Sequence, residues 1–136
     1  QVLNALFENK EIQKTYRAIT LGKMGSSGII SSIIDGKASE SSFEVLDTVA
    51  SERFGFLNLV KLSPITGRRH QLRIHLSNID NPILGDPEYG KEGLILKGKG
   101  LYLHASEIQF THPFTREELQ IKSPIPVKFK KIFTYI

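Results

Sequence analysis

Cysteine does not occur in these 136 residues. Its absence excludes a disulfide framework and any zinc site built on thiolates. No apolar run approaches the roughly 20 residues that a membrane-spanning helix needs. The opening stretch "QVLNALFENK" has no basic leader and no initiator methionine. It does not read as a signal peptide, and it points to an excised fragment or a processed chain. There is no G-x-S-x-G elbow and no phosphate-binding P-loop. "GKASES" and "GLILKGKG" hold glycines and lysines but lack the P-loop spacing. A cytoplasmic location is compatible with these absences.

What is present suits one compact domain with a real core. The apolar fraction is 40% and the charged fraction 24%, a balance that argues against disorder. The net charge is +4. A mild basic excess permits a nucleic-acid partner without requiring one.

Hydrophobic spacing predicts the elements. Val2, Leu3, Leu6 and Phe7 recur at helical spacing. "KTYRAITLG" reads as a strand ending at Gly22, and "MGSSG" as a loop. "IISSII" predicts a strand that turns at Asp35–Gly36, a hairpin signal. "GKASESS" reads as a polar connector before a third strand, "FEVLDTV". "FGFLNLVKL" is apolar at nearly every position, as in a central strand covered on both faces. Leu72, Leu76 and Ile79 predict a helix over residues 69–78. "DNPILGDPEYG" is a loop, and "GLILKGKG" is predicted to be a mobile connector. "LYLHA", "EIQFTH" and "LQI" read as strands. Phe129, Ile132, Phe133 and Ile136 predict a closing helix after Pro126. The class is α+β, a mainly antiparallel sheet flanked by short helices.

The chemistry concentrates in "SPITGRRHQLRIHL", residues 63–76, which carries three arginines and two histidines and no acidic residue. In a helix, Arg73 follows Leu72 and lies at the edge of the buried stripe. A guanidinium there needs a carboxylate or a phosphate. Asp47, Glu44 and Asp86 are structural candidates; the functional readings are a catalytic carboxylate or a bound phosphate. Arg68 and Arg69 sit beside Gly67 at a helix start, where anions are favoured; a solvated basic turn is the plain reading for Arg69. His70 and His75 are five residues apart and do not share a helix face, so no metal site is predicted. His104 and His112 are expected to be hydrogen-bonded structural residues. Asp86, in "GDPEYG", is most simply a turn residue. Tyr16, between Lys14 and Arg17, suits stacking on a base or a place in the core.

Four blocks then occur in order: "KTYRAITLG", "GKASESSFEVL", "LSPITGRRHQLRIHLSNIDNPILGDPEYG" and "LYLHASEIQFTHPFT" leading to "LQIKSPIP". Together they resemble the RluA-type RNA pseudouridine synthases, over about residues 14–126. The resemblance implies isomerisation of uridine to pseudouridine in structured RNA, ribosomal or transfer, with no metal and no cofactor. It implies Tyr16 against the target base and Arg73 paired with a catalytic aspartate. Lys14, Arg68, Arg69, His70 and Gln71 would face the RNA. The R-L-D block that carries the family's aspartate is missing, and no aspartate precedes Asp35. The resemblance therefore implies a single partial catalytic domain, inactive alone, whose Arg73 lacks its carboxylate. Arg69 stands where the family usually has Thr or Ser, and Asp80–Asn81 where it often has Gly-His. An RNA-binding module without catalysis is the competing expectation, and a basic structural domain the plainest one. A chain cut in this way is expected to self-associate and to have no membrane partner.

Overall fold

The computed structural model describes residues 12–134. Six strands and two short helices follow one another among them. They are β1 (Ile12–Leu21), β2 (Ser27–Ile34), β3 (Lys37–Ser51), β4 (Gly55–Pro64), α1 (Gln71–Asn78), β5 (Leu103–Thr111), β6 (Glu118–Lys122) and α2 (Val127–Lys130). The strands form one antiparallel sheet in the order β2-β3-β4-β1-β5-β6. The predicted α+β class holds. The helix predicted around Val2–Phe7 lies outside the described residues.

β4 sits inside the sheet, and Leu57, Leu59, Val60 and Leu62 are all buried. Neighbouring residues of a strand point to opposite faces, so both faces are covered, as the unbroken apolar run predicts. The β2–β3 turn also follows its sequence: Asp35 (φ 50) and Gly36 (φ 78) are both left-handed. That is the turn geometry whose twist matches a two-residue hairpin, and Asp-Gly suits it.

"GKASESS" is not a connector. It is the first half of the 15-residue β3, paired with β2 from Lys37 to Glu44. Ser39 and Ser41 are buried, and their hydroxyls face another buried polar side chain, so no aliphatic residues mark this strand. "LYLHA" and "EIQFTH" merge into the single strand β5, whose register against β1 shifts between Thr15 and Tyr16. α1 starts at Gln71, two residues later than predicted, because His70 is left-handed (φ 54). α2 is one turn, and the chain turns on from Lys131. Phe129 and Phe133 are both buried, and Phe129 packs on the Tyr102 ring at 5.6 Å.

The loop after α1 is sewn to β1. The Leu21 N–H donates to the Pro82 carbonyl (3.0 Å), and the Leu84 N–H to the Ile19 carbonyl (2.8 Å). "GLILKGKG" has no regular structure, yet Leu94 and Leu96 pack against the core. Lys128 Nζ donates to the carbonyls of Lys99 (3.0 Å) and Leu101 (2.8 Å), which ties this segment to α2.

Candidate active site

The turn between β4 and α1 is built around one buried amide. Gln71 Nε2 donates to the Glu40 carbonyl (2.9 Å) and Ser41 Oγ (2.7 Å). Its Oε1 accepts from Thr66 Oγ1 (2.6 Å) and the Arg68 N–H (3.0 Å). Every polar atom of Gln71 is engaged, and only 4% of the residue is exposed. It lines the cleft as the post that shapes the turn. Arg68, held so, reaches back to the Ala38 carbonyl through Nε (3.2 Å).

His75, one helical turn on, is fully buried between two serines. Its Nδ1 meets Ser41 Oγ at 2.9 Å and its Nε2 meets Ser39 Oγ at 2.8 Å. Ser39 donates to the Ser32 carbonyl (2.8 Å). Its oxygen then takes the Nε2 proton, which leaves Nδ1 to accept from Ser41. Burial favours this neutral ring and lowers the His75 pKa.

Arg73 has its carboxylate inside the chain. Its Nε donates to Asp86 Oδ2 (3.0 Å) and its Nη2 to Asp86 Oδ1 (2.8 Å), a two-pronged pair. Nη2 also reaches Glu88 Oε1 at 3.3 Å, and the guanidinium lies 5.1 Å from the centre of the Tyr89 ring. Of the three structural candidates, Asp86 is the partner. The expectation that Arg73 finds no carboxylate in this chain is set aside. Asp86 is a turn residue as well, since its Oδ1 accepts the N–H groups of Glu88 (3.0 Å) and Tyr89 (3.1 Å). Burial opposes its charge, but the Arg73 hydrogen bonds and these two N–H groups outweigh it and lower its pKa. The Arg73 pKa is raised, chiefly by the bond to Asp86.

Tyr16 stands on β1, paired with Leu62 of β4 and Ala105 of β5. Its hydroxyl is partly buried, which raises its pKa. A hollow of about 310 Å³ brings Tyr16 together with Arg68, His70, Gln71 and Arg73, with Leu72 and Leu103 as apolar walls. Lys14 and Arg69 are not in it. Lys14 lines an adjoining hollow of about 330 Å³ that shares the Pro64 and Thr66 walls. The exposed Arg69 lines a third, of about 250 Å³, that shares His70. Tyr16 and Arg73 line only the first of these three hollows.

The histidines do not converge. His70 Nδ1 is bonded to the Tyr89 hydroxyl (3.0 Å), while His75 faces the serines. His112 Nδ1 accepts from the N–H groups of Phe114 (3.2 Å) and Thr115 (3.3 Å). His104 departs from expectation: its Nε2 is buried with no hydrogen-bond partner among the described residues. Residue-level reading passed over Tyr89 and the Ser39–His75–Ser41 chain. The alternation of Ser39 and Ser41 inside one strand was the available signal.

The family profile described as RNA pseudouridylate synthase matches residues 1–78. The chain is 34% identical to a Vibrio vulnificus protein named ribosomal large subunit pseudouridine synthase C, over 96% of this chain and 46% of that protein. It is 33% identical to the Bacillus subtilis protein named uncharacterized RNA pseudouridine synthase YhcT, over 96% of this chain and 47% of that one. The chain thus spans about half the length of the curated relatives it matches. A solved structure of human RNA pseudouridylate synthase domain containing 1 superposes with a TM-score of 0.76 at 26% identity, over 89% of this chain and 58% of that one. The ordered blocks, the antiparallel sheet and these matches agree: the chain belongs to the RNA pseudouridylate synthase family, among its RluA-type members.

Proposed function

We propose that this chain is the C-terminal part of the catalytic domain of an RNA pseudouridine synthase, an isomerase that converts uridine to pseudouridine in structured RNA, ribosomal or transfer, in the cytoplasm. The observation that carries the reading is the meeting of Tyr16 and Arg73 across one hollow of about 310 Å³. A base must leave its stack to be worked on. Tyr16 offers it a partly buried aromatic wall, and Leu103 an apolar one. Arg73 is the cation that pairs with the catalytic carboxylate and keeps it ionised. The bond from N1 to the ribose C1′ breaks, the uracil turns, C5 bonds to C1′, and the proton that C5 loses is balanced by one that N1 gains. No metal or cofactor enters this scheme.

RNA lies along the three adjoining hollows, with Lys14, Arg68, Arg69 and His70 as its contacts and Gln71 shaping the turn from behind. The catalytic aspartate belongs to an R-L-D block, which these 136 residues lack. It is supplied by polypeptide outside them, so the chain alone is inactive. It also self-associates through its open sheet edge.

The test assays pseudouridine formation on RNA transcripts by this chain, by the complete polypeptide that carries it, and by that polypeptide with Arg73→Ala. Activity is expected only from the unaltered complete polypeptide. Turnover by the 136-residue chain sinks the missing-aspartate reading, and near-normal turnover with Arg73→Ala sinks the role given to Arg73. RNA binding without turnover by the complete polypeptide would make the protein a binding module.

A further inference from the structure

We propose that Asp86 is a positioning residue for the reaction: it sets the Arg73 guanidinium in one orientation before RNA arrives. The inference rests on the reading that Arg73 serves the chemistry. A surface arginine samples many rotamers. Arg73 is locked instead, because its Nε and Nη2 both end on Asp86. The Asp86 side chain has no exposed surface, and two backbone N–H groups of its own turn hold Oδ1.

The turn itself has little room to yield. Gly85 has φ +83, and a Cβ there would run into the Gly100 carbonyl oxygen. A Cβ on Gly90 would run into the carbonyl oxygen of Asp86 itself. Tyr89 closes the arrangement. Its ring lies against the guanidinium, and its hydroxyl is tied to His70 Nδ1 on the rim of the cleft.

Asp86 takes Nε and Nη2, Glu88 also accepts from Nη2, and Nη1 is left over. Nη1 has no hydrogen-bond partner among the described residues, while Arg73 lines the cleft beside Tyr16. Nη1 is the group that meets the reacting carboxylate. Asp86 thus acts through Arg73 and touches neither substrate nor reacting atoms. A one-ångström displacement of such a group costs on the order of 100-fold in rate.

The experiment uses the complete polypeptide that carries this chain. Single-turnover pseudouridine formation and RNA affinity are measured for Asp86→Asn and Arg73→Ala. Asp86→Asn is expected to lower the rate about 100-fold while the RNA Kd stays within about threefold, since no contact to RNA is removed. A wild-type rate with Asp86→Asn, while Arg73→Ala is inactive, overturns the positioning role alone. A wild-type rate with Arg73→Ala overturns the reading beneath it. If Asp86→Asn does not fold, the unaltered protein answers the question by NMR with 15N-labelled arginine. One slowly exchanging arginine Nε–H, assigned to Arg73 with Arg73→Lys, is expected to persist when RNA is added. Loss of that signal on RNA binding overturns the clamp.

Discussion

Protonating His75 would bury a charge between two hydroxyls, with no carboxylate among its hydrogen-bond partners. Its folded pKa lies below that of the unfolded chain, because burial disfavours the imidazolium. Below about pH 6.5 the unfolded chain therefore binds a proton that the folded one resists. Stability is full above that pH and is lost as pH falls toward the depressed folded value. The thermal midpoint is expected to fall between pH 7.5 and 5.5, and His75→Gln should flatten that slope; an unchanged slope in the variant would refute the assignment. Asp86 works in the same direction further down. Its folded pKa is lowered, so its contribution is present above about pH 3.9 and disappears in stronger acid. The residue types at both positions were plain in the sequence. Their partners were not, since Ser39 and Ser41 lie 36 and 34 residues from His75.

At the scale of elements, the loop after α1 does the positioning. The Pro82 carbonyl and the Leu84 N–H attach it to β1, and it then turns at Gly85 to present Asp86. Gly85→Ala combines a left-handed backbone with a Cβ driven against the Gly100 carbonyl. It should destabilise by about 1–3 kcal/mol from the backbone alone, and more from the clash. Urea unfolding measures this, and a midpoint within error of the parent would show that the loop can yield. Elements with a repeating pattern were legible beforehand. β4 showed its buried run and β2 its Asp-Gly turn because neighbouring residues set both. The first half of β3 was hidden, since its inward positions are serines that serve a histidine on α1. The start of α1 was misplaced because the left-handed His70 is held by Tyr89, which lies 19 residues on.

At the scale of the whole molecule, the sheet ends in β2 on one side and β6 on the other. β2 exposes Ile29 (65%) and Ile33 (69%), and among the described residues no strand pairs with its outer edge. Such an edge invites another strand. The 136-residue chain is expected to form dimers or larger species as its concentration rises, and Ile33→Lys should reduce them. Light scattering that shows monomer alone at high concentration contradicts this.

The amino-acid order was enough for the α+β class, the central strand, the hairpin turn and the family, because periodicity, turn chemistry and ordered blocks are properties of the sequence itself. It was not enough to choose among Glu44, Asp47 and Asp86 for Arg73. That choice depends on the path of a 13-residue excursion, held to β1 at one end and bent at a glycine that tolerates no side chain. Burial of Asp86 made the outcome firm, since a guanidinium at the edge of a core needs an anion and the fold brought a carboxylate there.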